Sequence, residues 1–241
     1  MPTPRFFSPI ALADACQIEL SAAAARHAAK VLRLRRGDEV VLFDGGKGEY
    51  EASIHEVNRD AVLVDVGRFR PIVRASPLKV CLAQGLASGD KMDTILQKAI
   101  ELGVSRLQPL ATQRSIVRLT DERAARRAQH WQNVAIAACE QCGNNEIPEV
   151  LPVEDFNEWI PRSAGVRLLL MPSAPQPLTS QLRPVDEVSL LVGPESGFSE
   201  TEIEAALAAG FTAVRLGPRI LRAETAGLAA LAAMQAMWGD F

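Results

Sequence analysis

The sequence predicts an α/β protein in two parts: a small antiparallel β-barrel, then a larger domain with helices around a largely parallel sheet. In the first part, short apolar segments alternate with period two between Gly, Asn and Asp turns. In the second, strand-like segments alternate with amphipathic helical patterns. The joining segment "RFRPIVRASPLKV" (68–80) contains Pro71 and Pro77, and such prolines favour a linker. We therefore predict domains at 1–72 and 73–241.

Three segments of the first part read as strands: "DEVVLFDG" (38–45), "GEYEASIHEV" (48–57) and "AVLVDVGRF" (61–69). In the second of them, Tyr50, Ala52 and Ile54 share one face and His55 lies opposite. We expect His55 to be a surface strand residue and not a ligand.

The second part opens with the strand "LKVCLAQGL" and the helix "DKMDTILQKAIELGV", which Gly103 should end. The strand "SRLQPLAT" follows, and then a long helix that should end at Gly143. Further strands are predicted at 166–172, 187–194 and 212–218. The helix "SETEIEAALAAG" lies between the last two, and the apolar helix "TAGLAALAAMQAMWG" closes the chain.

Composition limits the possible functions. The chain of 241 residues carries a net charge of −3, which argues against coating nucleic acid through bulk charge. The apolar stretch from Ala226 to Trp238 is shorter than the ~20 residues of a membrane span, and no apolar run follows Met1. We expect a cytoplasmic protein with no membrane partner.

Four cysteines are present, but only Cys139 and Cys142 are close in sequence, as "CEQC". A zinc or redox site would need a second ligand pair or a thioredoxin-like setting. We therefore expect two ordinary helical cysteines and no metal.

Ligands of open α/β sheets bind at the carboxyl ends of the strands, so the candidate loops are "MPSAPQP", "GPESGF" and "LGPRILRAET". In the second loop, Gly193 and Gly197 permit close backbone approach. Ser199 and Glu202 form the S-x-x-E capping box of the next helix. The loop matches neither a Walker nor a dinucleotide motif, and a plain glycine turn is the alternative.

The pair "GPESGFSETEI" and "RLGPRILRAETA" resembles the signature of the RsmE-type 16S rRNA uridine-N3 methyltransferases, which belong to the SPOUT class of knotted methyltransferases. The resemblance covers nearly the whole chain. "RHAAKVLRLRRGDEV" is similar to the PUA-like RNA-binding barrel of that family. "SGDKMDTILQKAIELGV" and "WQNVAIAACEQCGNNEIPEV" are similar to two later segments.

The resemblance implies S-adenosylmethionine-dependent methylation of N3 of a decoding-region uridine in 16S rRNA, with the assembled small ribosomal subunit as the favoured substrate. It also implies a trefoil knot and a homodimer. Two alternatives stay open: a non-catalytic RNA-binding or assembly protein of this fold, and a SPOUT methyltransferase that acts on another RNA.

The same resemblance assigns site residues. Glu195, Arg222 and Glu224 are the catalytic candidates, since a carboxylate could accept the N3 proton or stabilise the cationic cofactor and an arginine could support developing negative charge. The predicted cofactor-binding residues are Leu170, Met171, Pro172, Gly193, Glu195, Ser196, Leu216, Gly217, Ile220 and Leu221.

The predicted RNA-binding residues include the basic segment from Arg26 to Arg36, which contains no acid; a solvated helix end is the alternative. The full set is Arg5, Arg26, His27, Lys30, Arg33, Arg35, Lys91, Arg114 and Arg118. Phe6 and Phe7, beside Arg5, are a candidate exposed aromatic pair for RNA; the alternative is that they pin the N-terminus to the barrel.

Two residues depart from the family pattern. Ser196 replaces a common glycine, which would strain the loop if position 196 needs a positive φ. Asn144 replaces a frequent arginine and would remove one possible RNA contact.

Overall fold

The computed structural model describes residues 3–59, 61–117, 119–184 and 187–241. The chain forms two compact units. The first comprises Met1–Ala75 and Cys139–Ile147, and the second comprises Ser76–Ala138 and Pro148–Phe241. The domain boundary at residue 72 stays a prediction. No feature of the sequence predicts that the segment Cys139–Ile147 belongs to the first unit.

The first unit is built on a curled five-stranded sheet in the order β1-β3-β4-β5-β2 within the described residues. The pairs are antiparallel except that β1 runs parallel to β3. Helix α1 (Ala22–Arg26) and the π-helical turn His27–Val31 lie between β2 and β3 in the chain. The strands are β1 (Arg5–Phe7), β2 (Gln17–Glu19), β3 (Glu39–Phe43), β4 (Glu49–Val57) and β5 (Val62–Arg70).

Alternation along these strands builds the core of the first unit, as the period-two pattern predicts. Leu42, Ile54 and Val64 are buried in one cluster. His55 lies on the other face of β4, where its Nδ1 is 2.9 Å from Asp65 Oδ2 in an exposed pair. The prediction that His55 is a surface strand residue is confirmed.

A partly buried ion cluster joins the two chain segments of the first unit. Glu49 Oε2 accepts hydrogen bonds from Arg5 Nη1 at 2.6 Å and Arg74 Nη1 at 2.7 Å. Arg5 also donates to Gly143 O at 3.2 Å and Asn145 Oδ1 at 2.5 Å. Burial acts to raise the pKa of Glu49, but the hydrogen bonds from Arg74 and Arg5 outweigh it and hold the pKa below its usual value.

The second unit is built on a parallel sheet in the order β11-β13-β10-β12-β6-β7-β8, with β9 also pairing β7, as far as the described residues go. Its recorded strand pairs are all parallel, which confirms the predicted α/β fold with a largely parallel sheet. The strands are β6 (Lys79–Gly85), β7 (Arg106–Ala111), β8 (Glu149–Val150), β9 (Glu154–Asp155), β10 (Val166–Leu170), β11 (Gln176–Pro177), β12 (Glu187–Val192) and β13 (Thr212–Arg215).

The helices end where the glycines predict. Gly103 and Gly143 follow α2 and α3 with φ of +77° and +89°, a backbone conformation that glycine adopts without strain. Across the described residues, no helix is both long and apolar enough to cross a membrane. The helices of this part of the chain are α2 (Lys91–Glu101), α3 (Asp121–Cys142), α4 (Phe156–Trp159), α5 (Glu200–Ala208) and α6 (Ala223–Trp238).

A buried glutamine connects the ends of α2 and α6. Gln235 Nε2 donates to Leu102 O at 3.0 Å, and Gln235 Oε1 accepts from Ser76 Oγ at 2.8 Å. A Cβ at Gly103 would lie 2.7 Å from Gln235 Nε2. Position 103 therefore requires glycine both for its φ and for its packing.

Replacing the buried carboxylate by Glu49→Gln should destabilise the first unit by about 3 kcal/mol, because two arginines lose their counterion. Since the folded pKa of Glu49 lies below its ordinary 4.5, its stabilisation is present above that pH and is lost as the pH falls through the folded pKa. In Glu49→Gln, the free energy of unfolding of the first unit should therefore lose the part of its pH dependence that comes from Glu49.

Hydrogen exchange of β3, β4 and β5 as a function of urea measures this effect. The three tryptophans, Trp131, Trp159 and Trp238, belong to the second unit, so their fluorescence should show an unchanged transition. Glu51→Gln on the same strand is the control, because Glu51 pairs with Arg70 in solvent. Equal protection in both variants would contradict a structural role for Glu49.

Candidate functional site

A cavity of about 650 Å³ lies at the carboxyl ends of β10, β12 and β13, which are neighbours in the second sheet. Its volume falls in the range of about 300–1,000 Å³ that is typical of small-molecule sites. The lining residues belong to the second unit. They come mainly from residues 169–172, 192–198, 215–216 and 219–224, the loops in which sequence analysis places the site.

The loop after β12 is a tight bend that depends on two glycines. Gly197 N donates to Pro194 O at 2.9 Å, and Gly197 has a φ of +66°. A Cβ at Gly193 would lie 3.2 Å from Gly197 Cα. Among described non-glycine residues, only Ala15 and Arg33 have positive φ. Ser196 therefore occupies its position without the strain that a left-handed conformation would impose.

Glu195 projects from this bend and is held by the turn that follows β6. Glu195 Oε1 accepts from Ser88 Oγ at 2.6 Å, Ser88 N at 3.0 Å and Lys91 Nζ at 2.9 Å. Burial acts to raise the pKa of Glu195, but the bonds from Ser88 and Lys91 prevail and lower it to about 2. Glu195 is therefore ionised at neutral pH.

The second carboxylate, Glu224, lies in the first turn of α6, where the helix dipole favours negative charge. Glu224 Oε2 is 4.0 Å from Lys91 Nζ, and Glu224 Oε1 is 4.0 Å from Arg222 Nη1. The Arg222 side chain is 84% exposed. Lys91 thus lies between two carboxylates of the cavity, while Arg222 faces solvent at its edge.

The loop after β13 supplies the remaining wall. Leu216 and Leu221 are partly buried in the lining, whereas Ile220 is largely exposed at its rim. Gly217 has a φ of +72° in the same loop but lies outside the lining formed by the described residues. The other predicted cofactor-binding residues all line the cavity; their role in binding stays a prediction.

Arg215 and Glu202 shape these loops through contacts that the sequence does not predict. Arg215, at the end of β13, donates to Ala174 O at 2.8 Å and to Pro175 O. Glu202, only 1% exposed, accepts from Ser199 N at 2.8 Å, as the predicted capping box requires, and also from Gln113 N at 2.8 Å. The bond from Ser199 to Glu202 follows from the capping-box motif in the sequence. The bond from Gln113 to Glu202 joins residues that are 89 positions apart, and no local motif predicts it.

Two predicted RNA-binding residues of the second unit line the cavity. Lys91 forms the ion pair with Glu195. Arg114 lines the cavity, and its Nη1 is 3.5 Å from Ser196 O. Arg118 lies outside the described residues.

The basic segment of the first unit is exposed. It follows α1 through the π-helical turn, and Arg33 has a φ of +55°. Val31, within this segment, is 69% exposed. The predicted residues with exposed positions are Arg26, His27, Lys30, Arg33 and Arg35.

Residues near the N-terminus differ from the sequence-based expectation. The Arg5 side chain is only 11% exposed and is engaged by Glu49 and Asn145, so its position favours a structural role over contact with phosphate. Phe6 is buried, and Phe7 packs on Phe43. The prediction of an exposed aromatic pair is wrong, and the alternative holds, since both rings pack on the sheet and attach the N-terminal strand to it.

Asn144, the other departure from the family pattern, is buried. Its Oδ1 accepts from Glu146 N at 3.1 Å, which closes a local turn after α3. The asparagine thus supports the segment that carries Asn145.

Comparison with known proteins gives the family. Residues 74–235 match the sequence model of an RNA methyltransferase domain, and residues 20–67 match that of an RNA methyltransferase PUA domain. The second match confirms the predicted PUA-like character of the first part.

Relatives match over nearly their whole length. Ribosomal RNA small subunit methyltransferase E of Buchnera aphidicola is 33% identical over 92% of both chains. Its counterpart in Bacillus subtilis is 32% identical over 86% of this chain and 85% of the relative.

Solved structures agree with these matches. Ribosomal RNA small subunit methyltransferase E from Neisseria gonorrhoeae, bound to S-adenosyl methionine, is 38% identical with a TM-score of 0.93 over 99% of both chains. A Legionella pneumophila structure with bound SAM is 37% identical, with a TM-score of 0.97 over 100% of both chains. The chain belongs to the ribosomal RNA small subunit methyltransferase E family, and the resemblance found in its sequence is confirmed.

Proposed function

We propose that this protein transfers a methyl group from S-adenosylmethionine to N3 of a decoding-region uridine in 16S rRNA, on the assembled small ribosomal subunit. The observation that carries the proposal is the cavity at the ends of β10, β12 and β13, with the carboxyl groups of Glu195 and Glu224 in its wall. Family membership and the cofactor named for two solved relatives support the same reaction.

The lining residues fit this cofactor. Leu169, Val192, Leu216 and Leu221 give apolar surface suited to an adenine ring. Glu195 Oε2 and Glu224 Oε2 are buried and lack hydrogen-bond partners among the described residues. Buried acceptors without donors are costly, so a ligand with cationic groups would satisfy them.

When bound, the cofactor supplies an electrophilic methyl group on a cationic sulfur. The protein's residues must then hold an unpaired uridine and remove the N3 proton as the methyl group arrives. A carboxylate with a pKa of about 2, such as Glu195, is a poor proton acceptor. We assign proton acceptance to Glu224, and we assign support of the imide oxygens or a phosphate to exposed Arg222.

We propose that the basic segment of the first unit binds the RNA backbone. Arg26, Lys30, Arg33 and Arg35 are exposed cations, and Val31 adds an exposed apolar side chain between them. Such a mixture suits phosphate contacts beside an unstacked base.

Three further features of the family form part of the proposal: a trefoil knot in the methyltransferase domain, a homodimer and a cytoplasmic location. Glu224 is the one charged residue in the sequence of α6, and Leu228, Ala229 and Met237 are only partly buried. These side chains suit a partner surface, and light scattering of the purified protein measures the mass.

The reaction is tested by incubating the purified protein with S-adenosylmethionine and small subunits that lack the modification. Mass spectrometry of nucleosides from 16S rRNA should then show new 3-methyluridine. Absence of the peak with retained cofactor binding would redirect the search to other RNAs. Absence of both would favour a non-catalytic RNA-binding protein.

Removing the proposed proton acceptor by Glu224→Gln should slow single-turnover methyl transfer by about 10²- to 10⁴-fold, the usual contribution of general base catalysis. The rate is measured with saturating cofactor, so that weaker binding does not contribute. Glu204→Gln, at an exposed position of α5, is the control. A variant rate within threefold of wild type would exclude Glu224 as the base.

Arg33→Ala tests the RNA surface. If Arg33 contacts a single-strand phosphate, the slope of log affinity against log salt should fall by about 0.7. Arg59→Ala, at an exposed turn between β4 and β5, should leave the slope unchanged. The same slope in the Arg33 variant and the wild type would remove this residue from the interface.

A further inference from the structure

Lys91 and its two carboxylate neighbours form an unequal charge cluster in the cavity wall. The ammonium is 2.9 Å from Glu195 Oε1 and 4.0 Å from Glu224 Oε2. One lysine therefore faces two glutamates. Among the described residues, the second recorded partner of Glu224 is Arg222, which is largely exposed to water. Its charge is screened more strongly than that of a buried group. Arg114, Arg215 and Arg219 also line the cavity.

The hydrogen bonds of Glu195 are distributed unevenly between its two oxygens. Ser88 N, Ser88 Oγ and Lys91 Nζ all donate to Oε1. Oε2 is buried and receives no hydrogen bond from the part of the chain that the structure describes. Glu224 Oε2 is in the same condition. The cavity thus holds two buried carboxyl oxygens with unused acceptor capacity.

These oxygens lie in a largely apolar lining that includes Leu170, Val192 and Leu221. Charge interactions are stronger beside apolar walls than in water. A ligand that differs only by one positive charge should therefore differ measurably in affinity for this wall. S-Adenosylmethionine and its demethylated product differ in this way, because the methyl donor carries a sulfonium and the product a neutral thioether.

The geometry points to Glu195 and Glu224 as a charge-selecting subsite that favours the sulfonium form of the cofactor over the thioether product, with Lys91 as the cation that offsets part of their charge. This inference rests on the proposed function and deepens it. It gives Lys91 a role at the cofactor in place of the RNA contact predicted from sequence.

The charge balance of the reaction agrees with this assignment. The N–CH₃ bond forms as the S–CH₃ bond breaks, and the electron pair of the broken bond stays on sulfur. The N3 proton passes to Glu224. The sulfonium and one carboxylate thus lose their charges in the same turnover, so the attraction that selects the methyl donor is weakened once the product has formed.

The test is calorimetric titration of the full chain with S-adenosylmethionine and, separately, with S-adenosylhomocysteine. The measured quantity is the ratio of the two affinities, because groups common to both ligands cancel in it. Glu224→Gln should lower the preference for the methyl donor by about tenfold, while the affinity for the product changes little. Glu195→Gln is a second variant with the same expected direction.

Lys91→Met should shift the ratio in the opposite direction, because a cation that opposes the sulfonium is removed. Lys98→Met on the same helix is the matched control, since Lys98 pairs with Glu101 in solvent, and it should leave the ratio unchanged. Opposite shifts in the Glu224 and Lys91 variants would not arise from a general loosening of the fold.

The outcomes separate the inference from the proposed function. Equal weakening of both ligands in Glu224→Gln would overturn the inference, because the carboxylates would then address the ammonium that the ligands share. An unchanged ratio would overturn it as well, even with normal methyl transfer. Failure of the wild-type protein to bind either ligand would refute the proposed function, and the inference with it.

Discussion

The hold of Ser88 and Lys91 on Glu195 is the interaction on which the arrangement of the cavity depends. Two donors of Ser88, in the turn after β6, and Lys91, at the start of α2, converge on one carboxylate oxygen in the bend after β12. Their strands are already paired in parallel, with Val192 opposite Gln84. The Glu195 carboxylate then links the two segments that follow these strands, beyond the last hydrogen-bonded residue pair of the sheet. A loop rich in glycine, which would otherwise sample many conformations, is thereby fixed.

The order of the parallel sheet places the other walls. Since β13, β10 and β12 are adjacent, the loops at their carboxyl ends meet at one edge. Arg215 then ties the loop after β10 to the end of β13, and Glu202 ties the loop after β7 to the start of α5. The chemical groups of the site are thus carried by loops and by the first turns of helices, and side-chain bonds between these segments set their positions.

Local signals in the sequence predicted the elements that depend on local physics. Gly103 and Gly143 end their helices because they supply a positive φ, and Ser199 with Glu202 caps α5 because both bonds lie within one turn. Strands β1 and β2 were missed because three residues are too few to show a period. The partners of Lys91, Glu195 and Glu224, lie 104 residues or more away in the sequence. The residues next to Lys91 in the sequence give no indication of these contacts. An ion pair of that span depends on the tertiary fold, so the sequence alone could not separate Lys91 from the other predicted RNA-binding residues.

The segment Cys139–Ile147 belongs to the first unit although it is encoded far from the rest of that unit. Asn145 and the Gly143 carbonyl accept bonds from Arg5, and Asn145 donates to Ile72 O at 2.7 Å. The first unit is therefore not encoded by one continuous stretch of sequence. A fragment cut at Ala75 would leave the Arg5 guanidinium short of two acceptors, so exchange of this domain between relatives would have to transplant two stretches of sequence together. A recombination point between residues 75 and 139 would combine two segments of the first unit from different relatives, and their contacts would have to remain compatible.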